Sequence, residues 1–496
     1  MHNAVQLITY VDRLAVDLSG VAALLNHEFA GLFGGVHLLP YFTPYDGADA
    51  GFDPADHLVV DTRLGDWAAL RQLSDQIYVI SDVIVNHVSS HSKQFQDVMQ
   101  HGDKSEYWDM FLKRSDVFED VSGDISVDAE VKKVYRPRPG SPFTTITLDD
   151  GSSYDFWTTF SPQQLDINVE SPAGRAYLES ILTKFEQAGV QGVRLDAAGY
   201  AIKRRGTNCF MLPETFEFLA DLQNSASRRN MDVLVEIHSH YQTQVEIAER
   251  VSTVYDFALP PLVLHTLFSG NATALKAWFS ISPQNCINVL DTHDGIGIVD
   301  VARSGQRSGL LTDEQTDALV TEIHHRTDGD SRLASGQAAS NLDIYQINTT
   351  FYDALGRSNN LYLLARAIQF FAPGVPQVYY VGLLAQENDM DLLERTGVGR
   401  DINRHYFDAQ EIQAAVRKPV VEALFKLIRL RNAASAFSGV LDVIDGTDNS
   451  LELGWTQGAN TARLSIDFLQ SVGDITITEN GEIARYRITE TLRSVT

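Results

Sequence analysis

The chain has 496 residues, of which 44% are hydrophobic, so it can bury a large core and is long enough for more than one domain. Its 65 acidic and 39 basic residues give a net charge of −26, which argues against nucleic acid and against an anionic membrane as partners. The two cysteines, Cys209 and Cys286, lie far apart, which excludes both a paired zinc spacing and a disulfide framework.

The first ten residues predict a strand that begins almost at the first residue. They contain no basic region followed by a long apolar run, which is the pattern of a signal peptide. We therefore expect no signal peptide. No stretch of about 18 apolar residues is present, so we expect no transmembrane helix either. Together these features predict a soluble, cytoplasmic protein.

Apolar segments of strand length alternate with segments of helical periodicity along most of the chain. The candidate strands are residues 5–10, 35–39, 77–85, 190–195, 233–237, 254–257, 286–290 and 377–381. The amphipathic segments between them include residues 174–188, 213–227, 242–251 and 360–371. Near-continuous apolar strands that alternate with helices are typical of a parallel sheet, and eight such units predict a closed (β/α)8 TIM barrel of the α/β class rather than an open sheet.

Two connections in this pattern are too long for ordinary barrel loops. They predict one insert domain at residues 86–168, between the third and fourth strands, and a second insert at residues 295–355, between the seventh and eighth. Long loops in a compact domain are usually functional, and both leave from the C-terminal rim, where barrel enzymes carry their active sites. The catalytic barrel is then made of residues 1–85, 169–294 and 356–434.

The pattern changes after a predicted helix at residues 414–431. The segments that follow alternate apolar and polar residues with no helix between them, at residues 450–456, 461–467, 474–478 and 483–488. This alternation is typical of strands with one buried face. It predicts a small all-β C-terminal domain at residues 435–496.

Four of the predicted strands end in charged or imidazole side chains. The four segments are residues 82–87, 192–196, 235–238 and 290–294. A buried strand needs an apolar run but not a charged tip, since burying an unpaired charge costs several kcal/mol. A single aspartate at a strand end is more often a helix cap, and a single histidine is more often structural. Four such tips in register with eight strands indicate instead a barrel active site.

Asp196 and Glu236 end the predicted fourth and fifth strands. Neighbouring strands lie about 4.8 Å apart, so the two carboxylates can sit near the roughly 5–5.5 Å separation of a retaining glycosidase pair. Arg194 shares the strand face of Asp196, where its guanidinium would keep Asp196 ionised as a nucleophile requires. Glu236 lies in an apolar run that suits a general acid. Asp294, which follows His293, can bind sugar hydroxyls and stabilise the transition state.

The four segments resemble the four signature regions of the α-amylase superfamily of glycoside hydrolases. Longer stretches resemble one group of that superfamily, the phosphorylases that act on sucrose and related glucosides. These stretches are residues 5–10, 40–53, 135–140, 255–261, 290–297, 339–346 and 399–405. The similarity runs from the first residues to about residue 435 and so covers nearly the whole predicted barrel.

The resemblance implies glucosyl transfer from sucrose to phosphate by a retaining double displacement, which gives α-D-glucose 1-phosphate and D-fructose. It implies that Asp196 is the nucleophile that forms a β-glucosyl ester, that Glu236 is the general acid, and that Asp294 stabilises the transition state. It implies no cofactor. Hydrolases of the superfamily often carry calcium and this group generally does not, although Asn86 matches a position that can be a calcium ligand.

The resemblance also implies a closed pocket for one glucose, with Asp49 and Arg404 on the far hydroxyls. Other residues implied to bind the substrate are Phe52, His87, Phe160, Gln164, Arg194, Tyr200, His238 and His293. The two long loops are implied to favour phosphate and fructose alternately. Their implied contacts are Tyr135 and Arg138 on the first loop, for phosphate, and Asp343, Tyr345 and Gln346 on the second, for fructose.

Phosphate binding also has a physical requirement. Interception of a glucosyl ester by phosphate rather than by water needs a cationic receptor beside the ester. Arg136 and Arg138 offer planar guanidinium donors suited to phosphate, and the prolines around them restrict the backbone. A solvated basic pair on a loop is the alternative from the residues alone, and the resemblance favours phosphate for Arg138.

Three other functions fit parts of this pattern. A related phosphorylase for sucrose 6′-phosphate, glucosylglycerol or glucosylglycerate would need extra Lys or Arg in the second loop wherever its acceptor is anionic. A hydrolase of sucrose or α-glucosides would need no phosphate. A non-catalytic barrel protein would have lost one of the three carboxylates. The expected partners are small molecules, namely sucrose, phosphate, glucose 1-phosphate and fructose, and the sequence leaves a homodimer open.

Overall fold

A computed structural model of the chain describes residues 3–45, 50–118, 129–136, 140–336 and 340–495. The chain forms two compact units. The first unit comprises Met1–His37, His238–Glu249 and Thr253–Thr496, and the second unit comprises Leu38–Ile237 and Arg250–Ser252. Over the described ranges, no helix is long and apolar enough to cross a membrane.

Eight parallel strands close into a barrel, which confirms the predicted fold class. In chain order β1 to β8, they are Gln6–Thr9, Gly35–Leu38, Tyr78–Ile84, Gly192–Asp196, Asp232–Val235, Val254–Asp256, Cys286–Asn288 and Val375–Tyr379. The strands follow one another around the barrel in this order, and β1 closes it against β8. Their side chains are almost all buried, which explains why the sequence shows them as continuous apolar runs.

The prediction for the last barrel strand was displaced by two residues. The strand ends at Tyr379, and Tyr380–Leu383 forms a buried helical turn instead. The apolar run continues through this turn, and a short buried run looks the same in a strand and in a helix.

Long helices follow the barrel strands, and most begin at a residue that the sequence marks. Asp17, Asp66 and Ser171 accept hydrogen bonds from backbone N–H groups at the helix starts that follow them. The helices after the strands are Leu18–Asn26, Trp67–Ser74, Pro172–Gln187, Pro213–Ser227, Tyr241–Ala248, Leu259–Ser269, Thr273–Ile281, Asn359–Phe371 and Pro419–Ala433. The other helices are Val11–Leu14, Lys93–His101, Asp313–Arg326, Asp330–Ser335, Phe351–Ala354, Met390–Thr396 and Ala409–Ala415.

Connections between the barrel strands carry short antiparallel ribbons. In the second unit the ribbons are Phe42–Pro44 with Pro54–Val60, His87–Ser89 with Gln164–Asp166, and Phe143–Thr147 with Ser153–Trp157. In the first unit Ile296–Gly297 pairs with Gln346–Ile347. The domain boundaries expected at residues 86–168 and 295–355 stay predictions.

The C-terminal region is a six-stranded antiparallel sheet, which confirms the predicted all-β character. Its strands, β9 to β14, are Val440–Ile444, Ser450–Gln457, Asn460–Asp467, Val472–Glu479, Glu482–Ile488 and Leu492–Val495. The four central strands were predicted. The two edge strands were missed because they are mostly exposed and show weak alternation. The sheet packs on the helix Asn359–Phe371, and Trp455 Nε1 donates to Phe371 O at 2.8 Å.

The predicted first residue of the helix at residues 414–431 is wrong. The chain forms Ala409–Ala415 and then Pro419–Ala433 as separate helices. Pro419 has no backbone N–H to continue a helix that arrives from before it, so it begins a new one at its first position.

Candidate active site

The register of two neighbouring strands brings Asp196 and Glu236 to the same edge of the second unit. In the parallel pair β4 and β5, Leu195 lies opposite Val235, and the next residue on each strand is the carboxylate. Glu236 N donates to Leu195 O at 3.2 Å, which extends the ladder to this point. Both side chains are partly exposed, whereas the strands below them are buried.

The backbone turns sharply just after Asp196. Ala197 has a φ of 55°, in the left-handed region that residues with a Cβ adopt rarely. Its N–H donates to Glu236 Oε2 at 3.3 Å, so the turn adds a backbone donor between the two carboxylates. Strained backbone of this kind concentrates at functional sites.

A buried arginine holds the two carboxylates together. Arg194 Nη1 donates to Asp196 Oδ1 at 2.9 Å, and Nη2 lies 3.9 Å from Glu236 Oε2. On its other side Nη1 donates to Asp82 Oδ1 at 2.5 Å. The side chains of Arg194 and Asp82 are 3% and 0% exposed, so water cannot replace either partner. Since a nearby cation favours the ionised carboxylate, this arrangement suits Asp196 as a nucleophile.

A compact cluster of predicted sugar-binding residues lies in the same unit. The side chains of His87 and Gln164 both contact Phe52 O, at 3.0 and 3.2 Å, and lie 3.1 Å from each other. They come together because the ribbon that contains them pairs His87 with Asp166 and Ser89 with Gln164. Phe160 packs on His87 with ring centroids 5.1 Å apart. The structure therefore brings these four predicted residues together.

An aromatic cluster carries the two tyrosines expected at the acceptor and phosphate side. The rings of Tyr135 and Tyr200 are stacked with centroids 6.1 Å apart, and Phe210 contacts both at 4.7 and 4.9 Å. Burial, and then the neighbouring Tyr135, raise the pKa of Tyr200 well above its ordinary value. Its hydroxyl therefore stays protonated at neutral pH. Phe210 was not predicted, because no pattern in residues 207–211 marks it.

Of the two arginines predicted on the first long loop, Arg136 lies within the described residues. Arg136 donates through Nε and Nη2 to the backbone oxygens of Thr158 and Thr159, at 3.0 to 3.2 Å. The sequence predicted either a phosphate receptor or a solvated pair, and neither prediction included these backbone contacts. Arg138 and Asp49, which were predicted to bind phosphate and glucose, lie outside the described residues.

A lysine ammonium lies beside Asn86, the residue that matched a calcium-ligand position. Lys203 Nζ lies 2.6 Å from a carboxylate oxygen of Asp166 and donates to Asn86 Oδ1 at 3.0 Å. It also donates to Tyr200 O. The side chains of Lys203 and Asp166 are 2% and 0% exposed. The positive charge among these oxygens is therefore supplied by the chain itself, and the sequence reading did not single out Lys203.

In the first unit, Asp294 is also paired with an arginine. Arg400 Nη1 lies 2.7 Å from Asp294 Oδ1, and His293 Nε2 lies 3.8 Å from the same oxygen. Burial alone would raise the pKa of Asp294, but the charges of Arg400, His293, His238 and Arg404 hold it well below its ordinary value. Asp294 therefore stays ionised, as a residue that stabilises positive charge requires.

Arg400 and Arg404 have different surroundings, although both lie in the same short segment. Arg404 is 1% exposed; its Nε donates to His293 O at 3.0 Å and its Nη1 lies 3.5 Å from Asp401. These contacts are with a backbone oxygen and with the carboxylate of Asp401. Arg400, on the 3-10 turn Gly399–Asn403, reaches Asp294 with a side chain that is 34% exposed. Arg404 as the sugar-binding arginine stays a prediction, and the sequence pattern did not single out Arg400.

The residues expected on the fructose side lie on the second long connection and after β5. Gln346 Nε2 lies 3.3 Å from His238 Nε2, and the ring of Tyr345 lies 6.1 Å from that of His238. Asp343 ends the 3-10 turn Asn341–Asp343, and its side chain lies outside the described part of the structure. His293 contacts Tyr10 edge-on at 6.1 Å.

A closed parallel barrel with carboxylates at the ends of its strands is the architecture of a glycoside hydrolase-type enzyme. A model of the alpha-amylase catalytic domain matches residues 16–419, and the chain belongs to this family. The predicted superfamily is thereby confirmed.

Within that family the chain is similar over almost its whole length to particular enzymes. It is 54% identical to the sucrose phosphorylase of Agrobacterium vitis, over 97% of this chain and 98% of the relative. It is 47% identical to the sucrose phosphorylase of Bifidobacterium adolescentis, over 95% of this chain and 94% of the relative. Among solved structures, sucrose 6F-phosphate phosphorylase from Thermoanaerobacter thermosaccharolyticum matches 98% of this chain and 99% of its own, with 36% identity and a TM-score of 0.91.

Proposed function

We propose that this enzyme is a sucrose phosphorylase, which converts sucrose and phosphate into α-D-glucose 1-phosphate and D-fructose. The observation that carries the proposal is the 54% identity over 97% of the chain with a sucrose phosphorylase. The pairing of Asp196 and Glu236 around one buried arginine supports it, because a retaining transfer needs two close carboxylates with different roles.

The reaction proceeds in two displacements. Asp196 attacks the anomeric carbon of the glucosyl unit while Glu236 gives its proton to the departing fructosyl oxygen, so fructose leaves as a neutral sugar. The oxygen of a hydrogen phosphate then attacks the β-glucosyl ester, its proton passes to Glu236, and Asp196 leaves as a carboxylate. Two inversions restore the α configuration. Ionised Asp294 stabilises the positive charge that develops on the sugar ring in both steps.

We propose that His87, Gln164, Phe52 and Phe160 contribute to the glucose pocket. Their polar groups suit sugar hydroxyls, and the phenyl rings suit the apolar face of the ring. We assign to Arg400 a role at the sugar that the sequence reading gave to Arg404. Arg400 is partly exposed and paired with the catalytic aspartate, whereas Arg404 is enclosed by backbone and Asp401.

No cofactor is required in this proposal. Nucleophilic attack and proton transfer are carried by Asp196 and Glu236, and no step involves electron transfer. Lys203 supplies the positive charge that Asn86 and Asp166 share.

Related acceptors are the second candidate. The chain is 39% identical to a glucosylglycerol phosphorylase of Marinobacter adhaerens and 37% identical to a sucrose 6(F)-phosphate phosphorylase of Thermoanaerobacterium thermosaccharolyticum. Residues 340–348 contain no lysine or arginine to bind a phosphorylated fructose. This composition favours a neutral acceptor.

The first test is incubation of the purified protein with sucrose, with and without inorganic phosphate, followed by measurement of glucose 1-phosphate and free glucose. We expect phosphate-dependent glucose 1-phosphate as the main product. Equal free glucose in both reactions would make the enzyme a hydrolase. Turnover of sucrose 6′-phosphate or glucosylglycerol in place of sucrose would select the second candidate.

Two further assignments complete the proposal. We place the enzyme in the cytoplasm, where its small substrates would occur, and cell fractionation would test this location. A homodimer is also proposed, and light scattering of the purified enzyme at several concentrations would measure its mass.

A further inference from the structure

The imidazole of His238 is held on three sides within the first unit. Its Nδ1 lies 3.1 Å from Asp300 Oδ2, and its Nε2 lies 3.3 Å from Gln346 Nε2. Its ring is stacked on Phe257, with centroids 3.7 Å apart and planes 14° apart. A carboxylate only accepts, so the nitrogen that faces Asp300 carries a proton. The contact with Asp300 therefore decides which ring nitrogen faces Gln346.

Asp300 is itself rigidly placed. It is fully buried, and its Oδ1 accepts from Ser239 N at 3.1 Å and from Gln244 Nε2 at 2.6 Å. These two donors leave Oδ2 directed at His238. A carboxylate fixed by donors on one oxygen can orient a histidine through the other, as outer-shell partners do at other functional sites.

A glycine in a two-stranded ribbon leaves room for the contact between Asp300 and His238. In the pair formed by Ile296–Gly297 and Gln346–Ile347, Gly297 lies opposite Gln346. A Cβ on Gly297 would lie 1.9 Å from Asp300 Oδ2 and 3.4 Å from His238 Nδ1. Any side chain at this position would displace the carboxylate from the ring. The absence of a side chain at Gly297 is therefore a condition for the Asp300–His238 contact.

We propose that Asp300 is a positioning residue for acceptor recognition, which fixes the ring of His238 so that Nε2 faces Gln346 and the acceptor sugar. The proposal rests on the proposed function, in which His238 and Gln346 border the fructose side. Loss of Asp300 would free the ring to rotate and would weaken binding of the acceptor more than binding of glucose.

The kinetic test uses the full-length enzyme in the reverse direction, with glucose 1-phosphate and fructose as substrates. We expect Asp300→Ala to raise the KM for fructose on the order of 10-fold, as removal of outer-shell partners does elsewhere. The KM for glucose 1-phosphate should change little. In Asp300→Asn the one acceptor oxygen is used by Ser239 N and Gln244 Nε2, so an NH2 group faces Nδ1, and this variant should raise the KM for fructose as well. An unchanged KM for fructose in Asp300→Ala would overturn the proposal.

The spectroscopic test does not depend on activity. In protein with 15N-labelled histidine, the His238 signals can be assigned by their absence in His238→Gln. We expect Nδ1 to be protonated in the wild type and to lose this state in Asp300→Ala. An unprotonated Nδ1 in the wild type would contradict the inference even if sucrose phosphorolysis is found. Conversely, a protonated Nδ1 without phosphorolysis would leave the contact standing and the proposed function refuted.

Two matched controls separate positioning from loss of stability. Asp353 is also fully buried and accepts from Asn388 N at 2.7 Å, so Asp353→Asn tests the cost of changing a buried carboxylate elsewhere. Gly297→Ala should reproduce the fructose effect. In Gly454→Ala the new Cβ would meet nothing closer than Ile444 Cδ1 at 3.6 Å. Equal rises in the KM for fructose in the controls and in the test variants would refute a specific role.

Discussion

Two of the predicted catalytic carboxylates are each paired with an arginine, but the two arginines are held very differently. Arg194, beside Asp196, is 3% exposed and is also bound by the buried Asp82. Arg400, beside Asp294, is 34% exposed and lies on a 3-10 turn. The first arginine lies in a strand, whereas the second lies in a connecting segment.

This difference separates a permanent counter-ion from one that a ligand can displace. Arg194 is held between Asp82 and Asp196, so its movement away from Asp196 would break a buried ion pair, which is strongly unfavourable. Arg400 is partly exposed and can move into water, and His293, His238 and Arg404 still place favourable charge beside Asp294 when it does. We infer that the contact of Arg194 with Asp196 persists when substrate binds, and that the contact of Arg400 with Asp294 is exchanged for contacts with the sugar.

The largest expected effect is that of removing the nucleophile. We expect Asp196→Asn to lower kcat for sucrose phosphorolysis by at least ~10³-fold, because an amide cannot form the ester. Its melting temperature should stay close to that of the wild type. The measurement is initial glucose 1-phosphate formation with equal amounts of folded protein. Full activity in this variant would show that Asp196 is not the nucleophile.

The next largest effect concerns the buried pair of Arg194 and Asp82. Asp82→Asn should lower the free energy of unfolding by about 3 kcal/mol, because it leaves the buried guanidinium with one carboxylate fewer. Denaturant unfolding of the wild type and the variant would measure this difference. In a double variant with Arg194→Gln, the losses should be clearly less than additive, since the two residues share one interaction. Strict additivity would show that the two side chains do not act as a pair.

A smaller effect is expected for Arg400 and Asp294, the pair that we infer substrate displaces. Arg400→Gln should lower kcat/KM for sucrose on the order of 10-fold, which corresponds to one lost charged hydrogen bond. The free energy of unfolding should change by less than about 1 kcal/mol. Arg395→Gln removes an exposed charge nearby in sequence and serves as the control. A large loss of stability in Arg400→Gln with normal kinetics would reverse our reading of this arginine.

The smallest effect is on the acid dependence of stability. Since the pKa of Asp294 in the folded enzyme lies well below its unfolded value of 3.8, its ionised form stabilises the fold above that pH and loses this contribution as the pH falls. Arg400→Gln raises the pKa of Asp294. The stability difference between wild type and variant should therefore be largest above about pH 4 and shrink below it. Unfolding curves across this range would test the sign, and a difference that grows on acidification would contradict it.

Much of the fold could be predicted because its signal is local. The eight barrel strands are continuous apolar runs, and the central C-terminal strands alternate in burial. The neighbouring positions of Asp196 and Glu236 followed from strand order alone. The edge strands Val440–Ile444 and Leu492–Val495 were missed because exposed edges carry little alternation.

Residues that the sequence analysis did not single out have partners that are distant in sequence. Asp300 contacts His238 across 62 residues, and Lys203 contacts Asn86 across 117. No local pattern reports such a contact. For Arg400 and Arg404 the difficulty was different. Two arginines four residues apart around a 3-10 turn look alike in sequence, and only the side-chain environment separates them.

The ammonium of Lys203 has a thermodynamic consequence for this region. A bound metal stabilises a protein by an amount that depends on the free metal concentration, through mass action. The charge of Lys203 is covalently attached, so its presence between Asn86 and Asp166 does not depend on the concentration of any free metal. The connection between β3 and β4 thus keeps its anchoring charge at any dilution, and no chelator can remove it.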